Sequence, residues 1–493
     1  MFALNRSNLP DPPRPAGAPS KTGVLQIGDG NFLRAFADWM IDIANEAGVL
    51  DATVTLAPPR SAGIVDRLNA QDGLFTVLSR GMVEGAPTTS RRVVRCVARG
   101  VDPRQEPATL FACARDPKTR FVISNTTEAG IVYSEQPLIA GQWPRSFPAQ
   151  AAALLFERFQ ALGGGPDAGL VFLPCELIEA NGATLRDIVL RHACDWALPQ
   201  NFSDWVERDN HFLNTLVDRI VPGYPATEAD HLFAELGYTD TLLVAAEPFH
   251  LWVIEGPERL ANEFPLHQAG LNVVWTDDLK PYRASKVRIL NGAHTASVLA
   301  AFCGGLDTVG EMMENGVVSR FLRRVVFDEI VPFVPLPETE RRSYAESVLE
   351  RFANPYIRHE LLSIALNSVS KWTVRVLPSL LDYAHTHGRA PGGLAFSLAA
   401  LLRFYRGRFD PAGEFVGQRE RGDYPIRDSR EVLDIFDAAW RDPANAALAL
   451  LADTRLWGMD LHAIPEFAGQ VTNALDRIAA VGMLPALAEM LDH

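Results

Sequence analysis

Residues 23–36 read GVLQIGDGNFLRAF, and the residue types along them run strand, tight turn, helix. Leu25, Gln26 and Ile27 close a short run, mostly apolar, that suits a buried parallel strand. Gly28, Asp29 and Gly30 follow, a turn whose bare glycines let backbone N–H groups approach a pyrophosphate at the start of the next helix. Asn31 suits the N-cap, and Phe32, Leu33, Arg34, Ala35 and Phe36 lead an amphipathic run that continues to residue 47. Leu33 occupies the place of the third glycine in the dinucleotide fingerprint, which is therefore partial.

Outward from this turn, residues 52–56 (ATVTL) give a second strand. It ends in APPR, without the Asp or Glu that would hold an adenine ribose, so these residues leave NAD and NADP both open. Arg60 either faces a 2′-phosphate or sits solvated in its loop. Further strands at 92–96, 121–124, 170–173 and 242–246 alternate with helices at 149–161 and 184–196. That alternation predicts an α/β fold with a doubly wound, Rossmann-type parallel sheet. Loops after strand ends face the ligand crevice in such sheets, so SNTTEAG at 124–130 belongs there. Its Asn125, Thr126, Thr127 and Glu128 are candidates for contacts to ribose or nicotinamide. Asp218, beside Arg219, is a candidate for lining the site, with an ordinary ion pair as the alternative.

From about residue 277 strand patterning stops, and Leu, Ala and Arg recur at helical spacing. The expected organisation is an extended leader over 1–22, a dinucleotide-binding domain over 23–276 and a C-terminal all-α substrate and catalytic domain over 277–493. At its start, residues 281–300 read PYRASKVRILNGAHTASVLA, a helical pattern carrying Asn-Gly, a turn signal, in its middle. At about 100° per residue, Asn291 lies ~140° and His294 ~80° round from Lys286, on one side of a helix. A lysine, an amide and an imidazole placed together can handle a carbonyl oxygen, the lysine moving a proton and the others donating hydrogen bonds. The plainer alternative is a surface lysine, a turn and a core histidine.

RFANPYIRH at 351–359 and NSVSKWTVR at 367–375 bring Arg351, Lys371 and Arg375 to one helix pair. Such a group suits a carboxylate, with surface ion pairs as the alternative. His385 and His387 form H-x-H without further ligands at a recognisable spacing, so they predict a solvent-exposed loop and no metal site. A net charge of −14 argues against nucleic acid and against a basic membrane-binding surface. Five scattered cysteines without C-x-x-C point to reduced thiols in a cytoplasmic protein, and no signal peptide or spanning segment is evident.

In the order K-x-x-x-x-N-x-x-H, Lys286, Asn291 and His294 resemble the signature of the polyol-specific long-chain dehydrogenases, the mannitol dehydrogenase family. GDGNFLRAF resembles that family's glycine turn, in which a large residue replaces the third glycine. SNTTEAGIVY, AEPFHLWVIEG and KVRILNGAHTA are similar to its ketouronate-reducing branch, and the likeness runs from Val24 through nearly the whole chain. The resemblance implies a metal-independent oxidoreductase preferring NAD, with Lys286 as general acid/base and Asn291 and His294 holding the reacting oxygen. Arg351 and Lys371 match family positions. The implied reaction interconverts D-tagaturonate and D-altronate in hexuronate catabolism. Fructuronate reduction, oxidation of a polyol such as mannitol, and a non-catalytic dinucleotide-binding regulator are the alternatives. Two departures stand out. Mannitol-type members carry Cys-Asp-Asn where this chain has Cys175-Glu176-Leu177, which removes an oxyanion donor, and the arginine expected near Ser363 is absent.

Overall fold

The computed structural model describes residues 1–9, 21–59, 64–127 and 129–492, so Arg60 and Glu128 lie outside the described residues. The chain divides into two units, Met1–Gly81 with Thr88–Leu279, and Met82–Pro87 with Lys280–His493.

The first unit is built on a six-stranded sheet of β1 (Thr22–Ile27), β2 (Ala52–Ala57), β3 (Val97–Gly100), β4 (Thr119–Ser124), β5 (Val171–Pro174) and β6 (His211–Phe212). Their spatial order is β3-β2-β1-β4-β5-β6, and every neighbouring pair is parallel. Strand order reverses between β1 and β4, where a doubly wound sheet opens its ligand crevice beyond the C-terminal strand ends. Successive residues of a strand enter different cores. Val24, Val54 and Phe121 pack on one face, while Leu25, Val122 and Phe172 pack on the other. Burial on both faces is why the strands lack apolar–polar alternation.

Two expectations are corrected in this unit. The strands expected at 92–96 and 242–246 do not join the parallel sheet. Phe75–Val83, Ala86–Val94 and Val244–Ala246 form a separate three-stranded sheet. Ala86–Val94 (APTTSRRVV) is exposed along most of its length and could not sit in a sheet buried on both faces. At the start of the chain the described residues are tied to this unit. Phe2–Ala3 pairs in parallel with Tyr238–Thr239, and Leu4 is fully buried.

Beneath β1, Gln26 Nε2 donates to the Gly28 carbonyl at 3.0 Å and to Asp38 Oδ2 at 3.2 Å, bracing the glycine turn from inside. Burial pushes the Asp38 carboxyl up to about 7, against the Gln26 hydrogen bond and the Arg34 charge. A folded pKa raised above the unfolded value means the folded state holds the proton more tightly. The cost to stability is therefore absent below the unfolded pKa, grows as pH rises from about 4, and levels off above 7. Asp38→Asn should gain on the native protein in apparent Tm by a few degrees between pH 5 and pH 8, read from thermal melts at both. An equal difference at the two pH values would refute the titration.

The second unit is helical around one core. Gly292–Cys303 and Gly392–Phe404 are its most buried helices. It is not all-α as expected. Gly407–Phe409, Phe415–Arg419 and Gly422–Pro425 form an antiparallel meander whose Phe415 and Tyr424 join the core. These strands are short and rich in Gly and charge, so the helical pattern around them masks their period. His385 and His387 are exposed, in the last turn of the helix Leu377–His387 and not in a loop. No helix among the described residues is long and apolar enough to cross a membrane.

Candidate active site

In the first unit the turn after β1 has the form a dinucleotide requires. Gly28 has φ +143°, and a Cβ there would stand 2.8 Å from Leu33 Cδ1 and 2.9 Å from the Asn125 carbonyl. Leu33 therefore packs into the space that Gly28 leaves. At Gly30 an added Cβ would meet nothing within 4 Å, so the turn is open on its outer side. Helix follows without interruption from Asn31–Leu33 through a π-turn at Arg34–Asp38 into Trp39–Glu46. Gly30, not Asn31, is the N-cap, and no side chain caps the start. The first N–H groups of the helix therefore have no side-chain cap. Asn31 Oδ1 instead accepts from Arg34 Nη2 at 2.6 Å, while Arg34 Nη1 donates to the Leu242 carbonyl at 2.5 Å. Arg34, Leu33, Ala35 and Phe36 are buried and shape the turn from behind.

Across the switch point, the loop after β4 is held by a residue that sequence reasoning passed over. Glu176 is 2% exposed. Its Oε1 accepts from the backbone N–H and the hydroxyl of Thr126, both at 2.9 Å, and its Oε2 from Ser124 Oγ at 3.0 Å. Leu177 stands where mannitol-type members carry asparagine. The carboxylate one residue earlier joins the loops after β4 and β5, whereas Leu177 is 60% exposed and offers no donor. Thr127 takes φ +77°, an outlier for a β-branched residue, in the middle of this clamped loop. Asp218 is buried at the end of the strand Asn214–Asp218, also in the first unit. Neighbouring Arg219 is used structurally, donating to the carbonyls of Glu247 and Ala35 and to Ser79 Oγ.

The second unit carries Lys286, Asn291 and His294. Asn-Gly does not break the helix. The chain passes from Lys280–Ser285 through a π-turn, Lys286–Asn291, directly into Gly292–Cys303. Lys286 begins the π-turn and Asn291 ends it. A π-turn admits one extra residue, so spacings of five and eight act as four and seven on an ordinary helix. Asn291 then moves from ~140° to ~40° from Lys286, and His294 from ~80° to about −20°. The three side chains share one narrow stripe. Gly292 keeps right-handed helical angles and serves close packing, since a Cβ there would lie 3.1 Å from the Arg375 carbonyl. Arg288 ties the π-turn to the helix Leu377–His387 through Ser379 Oγ at 2.9 Å and Asp382 Oδ2 at 2.7 Å.

The charges of the candidate cations act on His294. Its ring stacks on Phe352 with centroids 3.9 Å apart, and the ring of His359 stands across it at 5.6 Å and 78°. Burial first, then the charges of His359, Arg351, Arg375 and Lys371, hold His294 well below the usual histidine range. The imidazole is thus neutral near pH 7. Its Nε2 is buried with no hydrogen-bond partner among the described residues. Arg351 is 7% exposed. Arg375 Nη1 reaches Thr295 Oγ1 at 3.4 Å, and Lys371 Nζ donates to the Ile364 carbonyl at 2.9 Å. Arg358, by contrast, is exposed and paired with Glu360. His359 carried no motif that would have singled it out.

Family models match both halves of the chain, mannitol dehydrogenase Rossmann domain over residues 22–268 and mannitol dehydrogenase C-terminal domain over 278–479. The chain is 44% identical to the altronate oxidoreductase of Yersinia pestis bv. Antiqua (strain Nepal516), with 99% of each chain covered. It is 43% identical, over 99% of each chain, to the altronate oxidoreductase of Pectobacterium carotovorum subsp. carotovorum (strain PC1). In fold it is similar to Pseudomonas fluorescens mannitol 2-dehydrogenase, solved as a ternary complex with NAD and D-mannitol, at 24% identity over 100% of both chains and a TM-score of 0.67.

Proposed function

The chain belongs to the mannitol dehydrogenase family and is an oxidoreductase acting on a CH–OH group, and on that premise we propose that it interconverts D-tagaturonate and D-altronate with NAD(H). The setting is hexuronate catabolism in a bacterial cytoplasm. NAD(H) supplies or takes up the hydride. The open turn at Gly28, Asp29 and Gly30 and the uncapped start of the following helix would hold its pyrophosphate. The loop of Asn125, Thr126 and Thr127, fixed by Glu176, would meet its ribose or nicotinamide.

On the substrate side, Asn291 and His294 donate hydrogen bonds to the ketone oxygen and so stabilise the charge that develops there. Lys286 delivers the proton to that oxygen in reduction and removes it in oxidation, without a metal. His294 is kept neutral by burial and its cationic neighbours, which fits a hydrogen-bond donor better than a proton source. Arg351, Lys371 and Arg375 hold the carboxylate. The observation that carries this reading is the gathering of those cations round a neutral imidazole on the stripe of Lys286 and Asn291. It supports an anion subsite beside a carbonyl subsite.

The test is NADH consumption on D-tagaturonate, D-fructuronate and D-fructose, with NADPH and a chelator as controls. Tagaturonate is expected to lead, and uncharged fructose to trail by about 10²-fold or more in kcat/KM, because it lacks the carboxylate that these cations bind through charge-assisted hydrogen bonds. Fructose turnover as fast as that of either ketouronate would overturn the assignment.

A further inference from the structure

The polar groups given roles in this pocket are nearly all donors. Lysine and arginine offer N–H groups and accept nothing, whereas a sugar hydroxyl needs a place for its own proton as well as a donor to its oxygen. A neutral imidazole offers one of each. Besides His294, the described residues of this cluster include a second imidazole, His359. Burial lowers its basicity, which favours the neutral ring. Its backbone is fixed, because its carbonyl accepts from Val309 N at 3.0 Å and Glu360 next to it bridges to Thr308. Its ring lies edge to face with His294, 5.6 Å between centroids, while Phe352 stacks on the His294 ring. Among the described residues His294 Nε2 is buried without a hydrogen-bond partner, and the half-buried His359 ring beside it makes no side-chain hydrogen bond to them. Polar atoms placed rigidly and left without an internal partner mark where ligand oxygens belong.

We infer that His359 binds the substrate hydroxyl on the carbon next to the reacting ketone, and so makes the site read the configuration of that carbon. The inference rests on the reading of Lys286, Asn291 and His294 as the ketone subsite. The ketone oxygen and the neighbouring hydroxyl are one carbon–carbon bond apart, and the two adjacent imidazoles divide them. His294 takes the first and His359 the second, while Arg351, Lys371 and Arg375 remain for the carboxylate at the far end.

The experiment compares the native enzyme with His359→Phe, which keeps an aromatic ring, and His359→Asn, which keeps a donor and an acceptor. Each is assayed with NADH on two ketouronates epimeric at that carbon and on the analogue lacking its hydroxyl. His359→Phe should lose about 30- to 100-fold in kcat/KM on the preferred epimer and most of the preference between epimers. It should match the native enzyme on the deoxy analogue, and His359→Asn should recover part of the loss. An equal loss on the deoxy analogue, or an unchanged epimer ratio, would overturn the inference. If the native enzyme reduces no ketouronate, the functional reading has failed instead.

Discussion

Lys286→Ala lowers kcat for ketouronate reduction roughly a thousandfold, the range expected when a positioned acid is removed from a proton transfer. NADH binding, followed by fluorescence titration, should stay within about twofold. The variant keeps the stripe of Asn291 and His294, so carbonyl polarisation persists and the loss falls on kcat more than on KM. Added primary amines should restore part of the rate, with small amines more effective than bulky ones. That rescue separates lost proton transfer from a disturbed π-turn, because an amine in solution cannot rebuild a helix. If the variant keeps more than a tenth of the native rate, another group carries the proton and Lys286 is only a neighbour.

Arg375→Ala costs about 10²- to 10³-fold in kcat/KM on D-tagaturonate, since a charge-assisted contact to a desolvated carboxylate is lost and the anion keeps an imperfect partner. Turnover of fructose, which presents no carboxylate, should change less than about threefold. The fold should survive, because the only hydrogen bond described from the Arg375 side chain is the long one to Thr295, while its packing against Gly292 uses the backbone carbonyl. A second readout follows from His294. Arg375 is one of the charges that hold the imidazole below its usual range, so its removal lets the pKa of His294 rise. The acid limb of the pH–rate profile should then move to higher pH. Equal losses on the charged and uncharged substrates would assign Arg375 to packing.

The stretch GVLQIGDGNFLRAF was legible because its information is local. Apolar β1, two glycines and an amphipathic helix stand in the structure where the residue types put them. The replacement of the third glycine by Leu33 was visible in sequence, but its reason was not, since only the folded turn brings Leu33 beside Gly28. Asn291-Gly292 was read as a turn signal inside a helical pattern, and the structure carries it in a π-turn of an unbroken helix. A π-turn depends on packing against other helices, and the sequence gives no sign of the Arg375 carbonyl that Gly292 admits. The cations Arg351, Lys371 and Arg375 were named from their chemistry and from the family resemblance, and in the structure their charges act on His294. His359 and Glu176 went unnoticed for a common reason. Each acts through neighbours more than forty residues away along the chain, which no spacing rule can reach. The meander near Tyr424 was missed although its pairing is local, because its strands are short and rich in Gly and charge.

Leu33 and Gly28 also constrain what this lineage can inherit. A methyl at position 28 would collide with the isobutyl group of Leu33, and a glycine at position 33 would leave a void under the turn. Position 28 must stay glycine whatever stands at 33, since its φ of +143° and the Asn125 carbonyl 2.9 Å from a Cβ there exclude a side chain on their own.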